Sequence, residues 1–400
     1  MIARKNWLNK TLFTAAVFAV ALAPSAGAAP KAVAIKQMVQ ITQDATAEAM
    51  VVTSKYILTY ANIVGQSADI KVRAIDFTGT EIWAKTIDSG WDEVATAITV
   101  DAQGSIWLAG NSAAAPNAET TTAATGALNP DSIVIESTTA LRPDMKNIAL
   151  WQLSSTGDLL SQTNSTTLQP AIVDAISANV TGISVLLSRD AGQTLVSVKG
   201  GAFGKELALG TAKSKFKTAL RGSDGSTYLF GSSSETLGGK KLVGGVDGIL
   251  MKVSKTGTIA SVVRSSTPNA IRDWQSATAS LFLTGVVKSG ATTETAVTKF
   301  TSVFAPTWTS RFASTGFSLA TLGASGSVFA IFEPTALLKG VSSFKVVKGQ
   351  SVALQFDSKG AISGAFTSPV LNSPISTGYS SDGGLIVLTS TGTILRTPAR

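Results

Sequence analysis

Cysteine and histidine are both absent from the 400 residues of this chain. Without cysteine there is no disulfide, no thiol nucleophile and no thiolate ligand for zinc or an iron–sulfur cluster. Without histidine there is no Ser-His-Asp triad, and a catalytic zinc site loses its usual ligand. The glycine-rich phosphate-binding patterns G-x-x-x-x-G-K-[ST] and G-x-G-x-x-G are missing as well. These absences exclude most hydrolytic, redox and nucleotide-dependent chemistry.

Charged residues are scarce, at 14% of the sequence, and the formal net charge of +8 is spread without runs of Lys or Arg. A nucleic-acid binder clusters its basic residues on one face, so we expect no nucleic-acid partner. Carboxylate catalysis is the chemistry that remains, since a glycosidase needs only two Asp or Glu at the right separation. The S-x-D-x-G-x-T-W box of sialidases is nevertheless absent.

The first residues have the three parts of an export signal. Arg4, Lys5 and Lys10 form a basic region, residues 12–23 are apolar, and Ala26-Gly27-Ala28 matches an A-x-A cleavage site. The apolar part is shorter than the roughly 20 residues that span a bilayer. We therefore expect a signal peptide over residues 1–28, cleaved near Ala28, and a secreted, extracellular product over 29–400 without a membrane span.

Two types of β-hairpin alternate along the rest of the chain, each built from β-branched strands around a turn that favours glycine. The first type, with the turn S/D-x-T/K-G, occurs at Gly79, Gly157, Gly204, Gly257 and Gly360, and without its glycine near Ala305. The second type, such as ITVDAQGSIWLAG, occurs at Gly104, Gly182, Gly225, Gly326 and Gly384, and without its glycine near Lys55 and Ala279.

One hairpin of each type makes four strands every 50 residues or so, which is typical of a propeller blade. The sequence thus predicts an all-β fold, a β-propeller of seven four-stranded blades, with six or eight as alternatives. A blade shared between the two ends of the chain would close the ring and remove its free edges.

Residues 90–112 and 244–260 contain a Gly-Gly-x-Asp lead-in, a K-x-x-x-x-G hairpin and a D-x-x-G-x-x-Y/W hairpin that ends in glycine. They resemble the repeat of secreted bacterial β-propellers of the "beta-propeller repeat" type. Residues 74–85 also resemble a quinoprotein repeat, but only once and without that family's vicinal cysteines. The resemblance implies a propeller in an extracellular setting, and it brings no catalytic residues and no cofactor.

The hairpin turns are predicted to lie on one face and the irregular connections on the other, where binding usually occurs. Numbering the strands of a blade a to d, we assign Asp88–Glu93, Thr211–Lys217 and Arg264–Trp274 to b–c connections. The longest connection, Asn111–Lys146, is assigned to a d–a connection. It is either a ligand-contacting lid or a tolerated surface insertion, since long loops cost little.

Two pairs of an aromatic and a carboxylate fall in these connections, and we predict that they bind ligand. Trp91 with Asp92, and Trp274 with Arg272 and Asp273, could stack on a sugar and hold its hydroxyls. In the alternative interpretation each Trp closes the gap between blades and each Asp caps a turn. Four tryptophans inside strands are expected to pack between blades: Trp83, Trp107, Trp151 and Trp308.

The function predicted from these residues is a secreted, non-catalytic binding or scaffold propeller with its ligand on the long-loop face. A glycan or a cell-envelope protein would suit a surface of nearly balanced charge, and we expect a monomer without cofactor or metal. The alternative is a carboxylate-based glycan hydrolase or lyase on the same scaffold, so enzymatic activity stays open.

Overall fold

The computed structural model describes residues 32–113, 145–167 and 170–398. The predicted signal peptide, 1–28, and most of the predicted insertion, 111–146, lie outside these ranges.

The described chain is almost entirely β-strand. It starts with β1 Val33–Gln37 and β2 Val39–Gln43. Blade A contains β3 Ala49–Val52, β4 Ile57–Val64, β5 Ala68–Ile75 and β6 Glu81–Ile87. Blade B contains β7 Glu93–Val100, β8 Ile106–Ser112, β9 Asn147–Leu153 and β10 Leu159–Thr166. Blade C contains β11 Ile172–Asn179, β12 Gly182–Arg189, β13 Gly192–Lys199 and the short strands β14 Ala202–Phe203 and β15 Leu207–Ala208.

The second half of the chain continues the pattern. Blade D contains β16 Ser214–Arg221, β17 Thr227–Ser233, β18 Asp247–Val253 and β19 Ile259–Ser265. Sheet E joins β1 to β20 Ile271–Ala277, β21 Phe282–Ser289, β22 Thr292–Phe300, β23 Pro306–Leu322, β24 Val328–Pro334, β25 Val341–Ser342, β26 Gln350–Phe356 and β27 Ile362–Asn372. Blade F joins β2 to β28 Pro374–Ser380, β29 Gly384–Thr389 and β30 Thr393–Arg396.

The blades are arranged as a ring. The first strand of each blade contacts the first strand of the next: β7 contacts β11, and β11 contacts β16. The fourth strands β6 and β10 face solvent instead. The ring closes because β2 pairs antiparallel with β30, as the prediction of a blade shared between the chain ends requires. This arrangement confirms the all-β, β-propeller fold. No helix in the described ranges is both long enough and apolar enough to cross a membrane.

The prediction of seven four-stranded blades is wrong: five blades are present, and the remaining strands form the single nine-stranded sheet E. The cause is β23, which continues for 17 residues without a turn. Its first half pairs with β22 and its second half with β24, and only a register shift between Ser314 and Ser318 separates the two ladders. A connection without a loop cannot be recognised from turn residues.

The turns of the two predicted hairpin types lie on one face, which we call the turn face, and the opposite end is the loop face. Every a–b and c–d connection is a short hairpin, and Tyr56 Oη of a blade A turn donates to Ser155 O of a blade B turn at 2.8 Å. The face prediction is therefore confirmed. One turn was misplaced, because β13 and β14 turn at Gly200 and Gly201, both with positive φ, rather than at Gly204.

The labels of the loop-face connections were interchanged. Asp88–Glu93 follows β6 and leads into β7, so it is a d–a connection, whereas Asn111–Lys146 joins β8 to β9 and is a b–c connection. The strand ends that flank both types of connection lie on the loop face, so the exchange of labels does not change the predicted face. The labels differ because the second hairpin type, rather than the first, forms strands a and b of each blade.

The hydrophobic core lies in the seams between blades. In the seam of blades A and B, Leu58 and Val72 meet Leu108 and Trp151, all with 0% exposure. Burying each such aliphatic side chain contributes roughly 1.5–3 kcal/mol. Strands buried on both faces explain the low fraction of charged residues.

Candidate functional site

The innermost strands share one irregularity near the loop face. In β7, β11, β16 and β20 one residue has no partner on the neighbouring strand, which is a β-bulge. A bulge bends the strand and redirects side chains, and bulges often lie beside functional sites. The extra residues are Thr96, Asp174, Lys217 and Gln275.

Glycines on the adjoining strands make three of these bulges possible. A Cβ on Gly110 or Gly231 would lie 1.9 Å from the carbonyl oxygen of Val94 or Lys215 in the bulged strand. A Cβ on Gly285 would lie 2.2 Å from Asp273 O. Only glycine permits such a close approach of two backbones. The glycine that ends the second hairpin type in WLAG, YLFG and FLTG therefore reports a bulge on the preceding strand.

A cavity of about 400 Å³ opens beside the bulges of β16 and β20, which we call the loop-face cavity. Its volume falls in the range of small-ligand sites, roughly 300–1,000 Å³. The lining combines an exposed aromatic ring, an amide, a carboxylate, a lysine and aliphatic groups. It is formed by Ser232, Val246, Ile271, Asp273, Gln275, Val286, Lys288, Thr315, Gly316 and Phe317.

The carboxylate of Asp273 is the central polar group of this cavity. Its Oδ2 accepts an ion-paired hydrogen bond from Lys217 Nζ at 2.5 Å, and the two side chains are 17% and 43% exposed. Its Oδ1 is buried and has no hydrogen-bond partner among the described residues. A buried acceptor without a partner costs about 1–3 kcal/mol.

An exposed aromatic ring lies opposite the carboxylate. Phe317 is 47% exposed and belongs to the three-residue irregularity of β23 between its two ladders. Gly316 has a φ of 108°, and a Cβ there would meet Val286 Cγ2 at 2.9 Å. The glycine thus allows the chain to bend so that the next side chain lines the cavity.

Strand alternation places Asp273 and its two predicted neighbours, Arg272 and Trp274, on opposite faces of β20. Asp273 lines the cavity with Gln275, whereas Arg272 lies in the seam with blade D, where its NH1 donates to Ser265 Oγ. Burial, and secondarily the charge of Arg311, lowers the pKa of Arg272. Trp274 is 2% exposed and packs edge-on to Phe300 at 5.6 Å, so it offers no face to a ligand and fills a seam instead.

The other predicted pair belongs to the connection between blades A and B. Asp92 is 8% exposed, and its Oδ1 accepts a hydrogen bond from Ala68 N at 2.7 Å, which ties the connection to β5. Trp91 is 44% exposed beside it. Asp92 therefore has a structural contact, as the alternative interpretation expects, and ligand binding by Trp91 stays a prediction.

Next to this pair, Glu93 is a fully buried carboxyl. Ser89 Oγ donates to its Oε1, while Oε2 and the facing Ser112 Oγ have no partner among the described residues. Burial, aided by the charges of Asp69 and Asp88, raises the pKa of Glu93.

Three residues in or beside the loop-face cavity are absent from the predicted ligand contacts: Gln275 and Phe317 in its lining, and Lys217, which pairs with Asp273. The closing glycine Gly285 was visible in the sequence as part of the repeat, but its meaning as a bulge marker was not. Gly316 in the middle of an uninterrupted strand was the available sign for Phe317.

Known proteins resemble this chain in fold. A streptogramin B lyase structure matches with a TM-score of 0.53 at 12% identity, over 90% of this chain and 96% of that one. The WD40 β-propeller domain of Doa1 matches with a TM-score of 0.51 at 10% identity, over the same shares of the two chains. The shared fold is the β-propeller. At these identities the likeness shows the fold alone; no family model and no curated protein sequence matches the chain.

Proposed function

We propose that this propeller is a secreted, non-catalytic binding protein that holds a ligand in the loop-face cavity. The observation that carries the proposal is the ion pair of Asp273 and Lys217 beside the exposed ring of Phe317. A ligand hydroxyl or N–H would donate to this carboxylate while an apolar face of the ligand packs on Phe317.

The other lining groups define the ligand class. Phe317 offers an apolar face, Gln275 an amide and Lys288 a cation at the rim. One carboxylate with two lysines forms a surface of mixed charge, which suits a glycan or a segment of an envelope protein rather than a polyanion. The ion pair with Lys217 keeps the Asp273 carboxylate oriented, so binding rather than proton transfer is the role we assign to it.

Export is part of the same proposal. We propose that residues 1–28 are removed near Ala28 and that 29–400 acts outside the cell as one domain. Amino-terminal sequencing of the exported protein should begin at Ala29; a cytoplasmic product that retains residues 1–28 would contradict secretion.

The binding proposal is tested with the purified chain on a glycan array and on isolated cell envelopes. Asp273→Asn should weaken retention about tenfold, since the charged hydrogen bond is lost. Asp357→Asn on the turn face, where the carboxylate only caps its own turn, is the matched control. Turnover of a glycan that Asp273→Asn abolishes would overturn the non-catalytic function in favour of a hydrolase or lyase.

A further inference from the structure

A second and larger cavity lies on the opposite side, in the seam between blades B and C at the turn face. Its volume is about 550 Å³. We call it the seam cavity. It is bounded by strands β8 to β10 of one blade and by the a–b and c–d turns of the other, Asn179–Gly182 and Lys199–Gly201.

Two other seams contain an indole ring at the position where this seam has a cavity. In blade A, Trp83 of the fourth strand covers the Gly157 turn of blade B, and a Cβ on that glycine would lie 2.6 Å from the ring. In sheet E, Trp308 covers the Gly360 turn in the same way, again at 2.6 Å.

Register identifies the matching residue in blade B. Trp83 pairs with Ala74, one step before the register shift at Ile75, and Trp308 pairs with Lys299, one step before the shift at Phe300. In blade B the residue in this position is Ser161, which pairs with Gln152 beside the shift at Leu153. A serine therefore replaces the tryptophan.

The facing turn does not fill the space either. Gly200 has nothing within 4 Å of its missing Cβ, and for Gly201 the nearest atom is Thr163 Oγ1 at 3.8 Å. The small residues on both sides leave this part of the seam open.

The lining of this space combines apolar and uncharged polar side chains from both blades. Trp107, Leu150 and Val198 are among its apolar residues. The uncharged polar groups are those of Gln152, Ser161, Thr163, Asn179 and Thr181.

The two charged residues of the lining leave its interior neutral. Asp101 is engaged with its own blade, since its Oδ2 accepts from Trp107 Nε1 at 3.0 Å and its Oδ1 from Ser105 N at 2.9 Å. The bond from Nε1 also fixes the orientation of the Trp107 indole ring. Lys199 is exposed at the rim of the cavity.

We propose that the seam cavity binds one neutral sugar ring of a glycan. A pyranose has an apolar C–H face that stacks on an indole and hydroxyls that exchange hydrogen bonds with amide and hydroxyl side chains. A charged ligand would find no counter-charge among the uncharged polar groups of the lining. This site is separate from the loop-face cavity and lies on the opposite face of the propeller.

The test fills the cavity from within. Ser161→Trp places an indole where Trp83 and Trp308 already have one, and Ser261→Trp does so at the matching position of blade D, beside the register shift at Val253. The full chain is titrated calorimetrically with glucose, galactose, mannose and N-acetylglucosamine and with short oligosaccharides of each. We expect binding of at least one of them, a loss of at least about tenfold in Ser161→Trp, and unchanged affinity in Ser261→Trp.

A second variant covers the case in which Ser161→Trp does not fold. Gln152→Met keeps the side-chain volume and removes the amide, and it should also weaken binding about tenfold. Absence of binding by every sugar, or binding that persists in both variants, would overturn the proposal. Binding that Ser161→Trp removes belongs to this site, whereas binding that only Asp273→Asn weakens belongs to the loop-face cavity, so failure here and failure of the loop-face site are distinguishable.

Discussion

The side chain of Asn62 pairs with the backbone of Ala95 across the seam between blades A and B. Its Oδ1 accepts from Ala95 N at 2.8 Å and its Nδ2 donates to Ala95 O at 2.9 Å. Ala95 adjoins the bulge of β7, which leaves these backbone groups without strand partners. Gln193 makes the same two bonds to Phe216, beside the bulge of β16. At these two bulges, amide side chains therefore bond to the backbone groups that have lost their strand partners.

Asn62→Leu should therefore destabilise the protein strongly. It leaves two buried backbone groups unsatisfied, at about 1–3 kcal/mol each. Chemical denaturation should show a loss of about 2–6 kcal/mol in the free energy of unfolding, the sum for the two groups. The control is Asn164→Leu on the exposed strand β10, which should change it by less than about 0.5 kcal/mol. Equal effects of the two would contradict a specific role of Asn62.

Substitution by glycine should have opposite effects in two turns. Ser325 and Phe304 both have positive φ, 53° and 62°. For a non-glycine residue this conformation costs roughly 1–2 kcal/mol. Ser325 is exposed, so Ser325→Gly should raise the melting temperature. The ring of Phe304 is 5% exposed and packs on Tyr228 and Phe230, so Phe304→Gly should cost about 3 kcal/mol net. A stabilising Phe304→Gly would show that its ring contributes little.

The buried ion pair of Asp247 and Arg264 should make stability depend on acid pH. The Asp247 side chain is 0% exposed and the Oδ2–NH1 distance is 2.9 Å. Burial raises the pKa of Asp247, but bonds from Gly244 N, Ser266, Val243 N and Arg264 outweigh it, so the pKa is lowered. The stabilisation is therefore present above the unfolded pKa, near 3.9, and is lost as the pH falls through the lower folded value.

Asp247→Asn should cost about 3–5 kcal/mol at neutral pH, because it leaves Arg264 buried without a counter-charge. Asp158→Asn removes the exposed pair with Lys85, which solvent screens, and should cost far less. Denaturation curves between neutral and acid pH provide the comparison. A difference between wild type and Asp247→Asn that stays constant with pH would contradict the assignment.

Glu93→Gln should stabilise the protein, in contrast to Asp247→Asn, and this stabilisation should increase as the pH rises. Because burial raises the pKa of Glu93, the folded protein binds this proton more tightly than the unfolded chain does. Its contribution is favourable below the unfolded pKa and is lost as the pH rises through the folded pKa. Glutamine keeps the acceptor for Ser89 and adds a donor toward Ser112. The melting temperature of the variant should exceed that of the wild type more at pH 8 than at pH 4; the reverse order would contradict a buried, proton-binding carboxyl.

Turn chemistry explains how much of the fold was predictable. Every hairpin turn of the second type was found, including the one with Leu281 in place of glycine, and so was the first-type turn at Phe304, because strand periodicity continued on both sides. Sheet E was not predictable from turns, since β23 has none between Pro306 and Leu322.

The candidate sites depend on features with weaker sequence patterns. Asp273 was selected, but its separation from Arg272 and Trp274 follows from strand alternation near a bulge, and its contact with Lys217 joins two blades. The seam cavity depends on Ser161, which is a small residue at the position where two other blades have a tryptophan. That relationship becomes visible only when Ser161, Trp83 and Trp308 are aligned by register rather than by sequence.

The closure of the ring by β2 and β30 also has a consequence for the order of folding. Gln43 and Thr393, which pair there, come from opposite ends of the described chain. Such distant contacts form slowly, because the loop entropy is lost before the contact is gained. Until β30 emerges, Arg73 on β5 can still bond to Asp44, but β2 has no ladder of its own. Blade F is therefore the last to assemble, and a chain shortened by a few strands would remain an open arc with two unprotected edges.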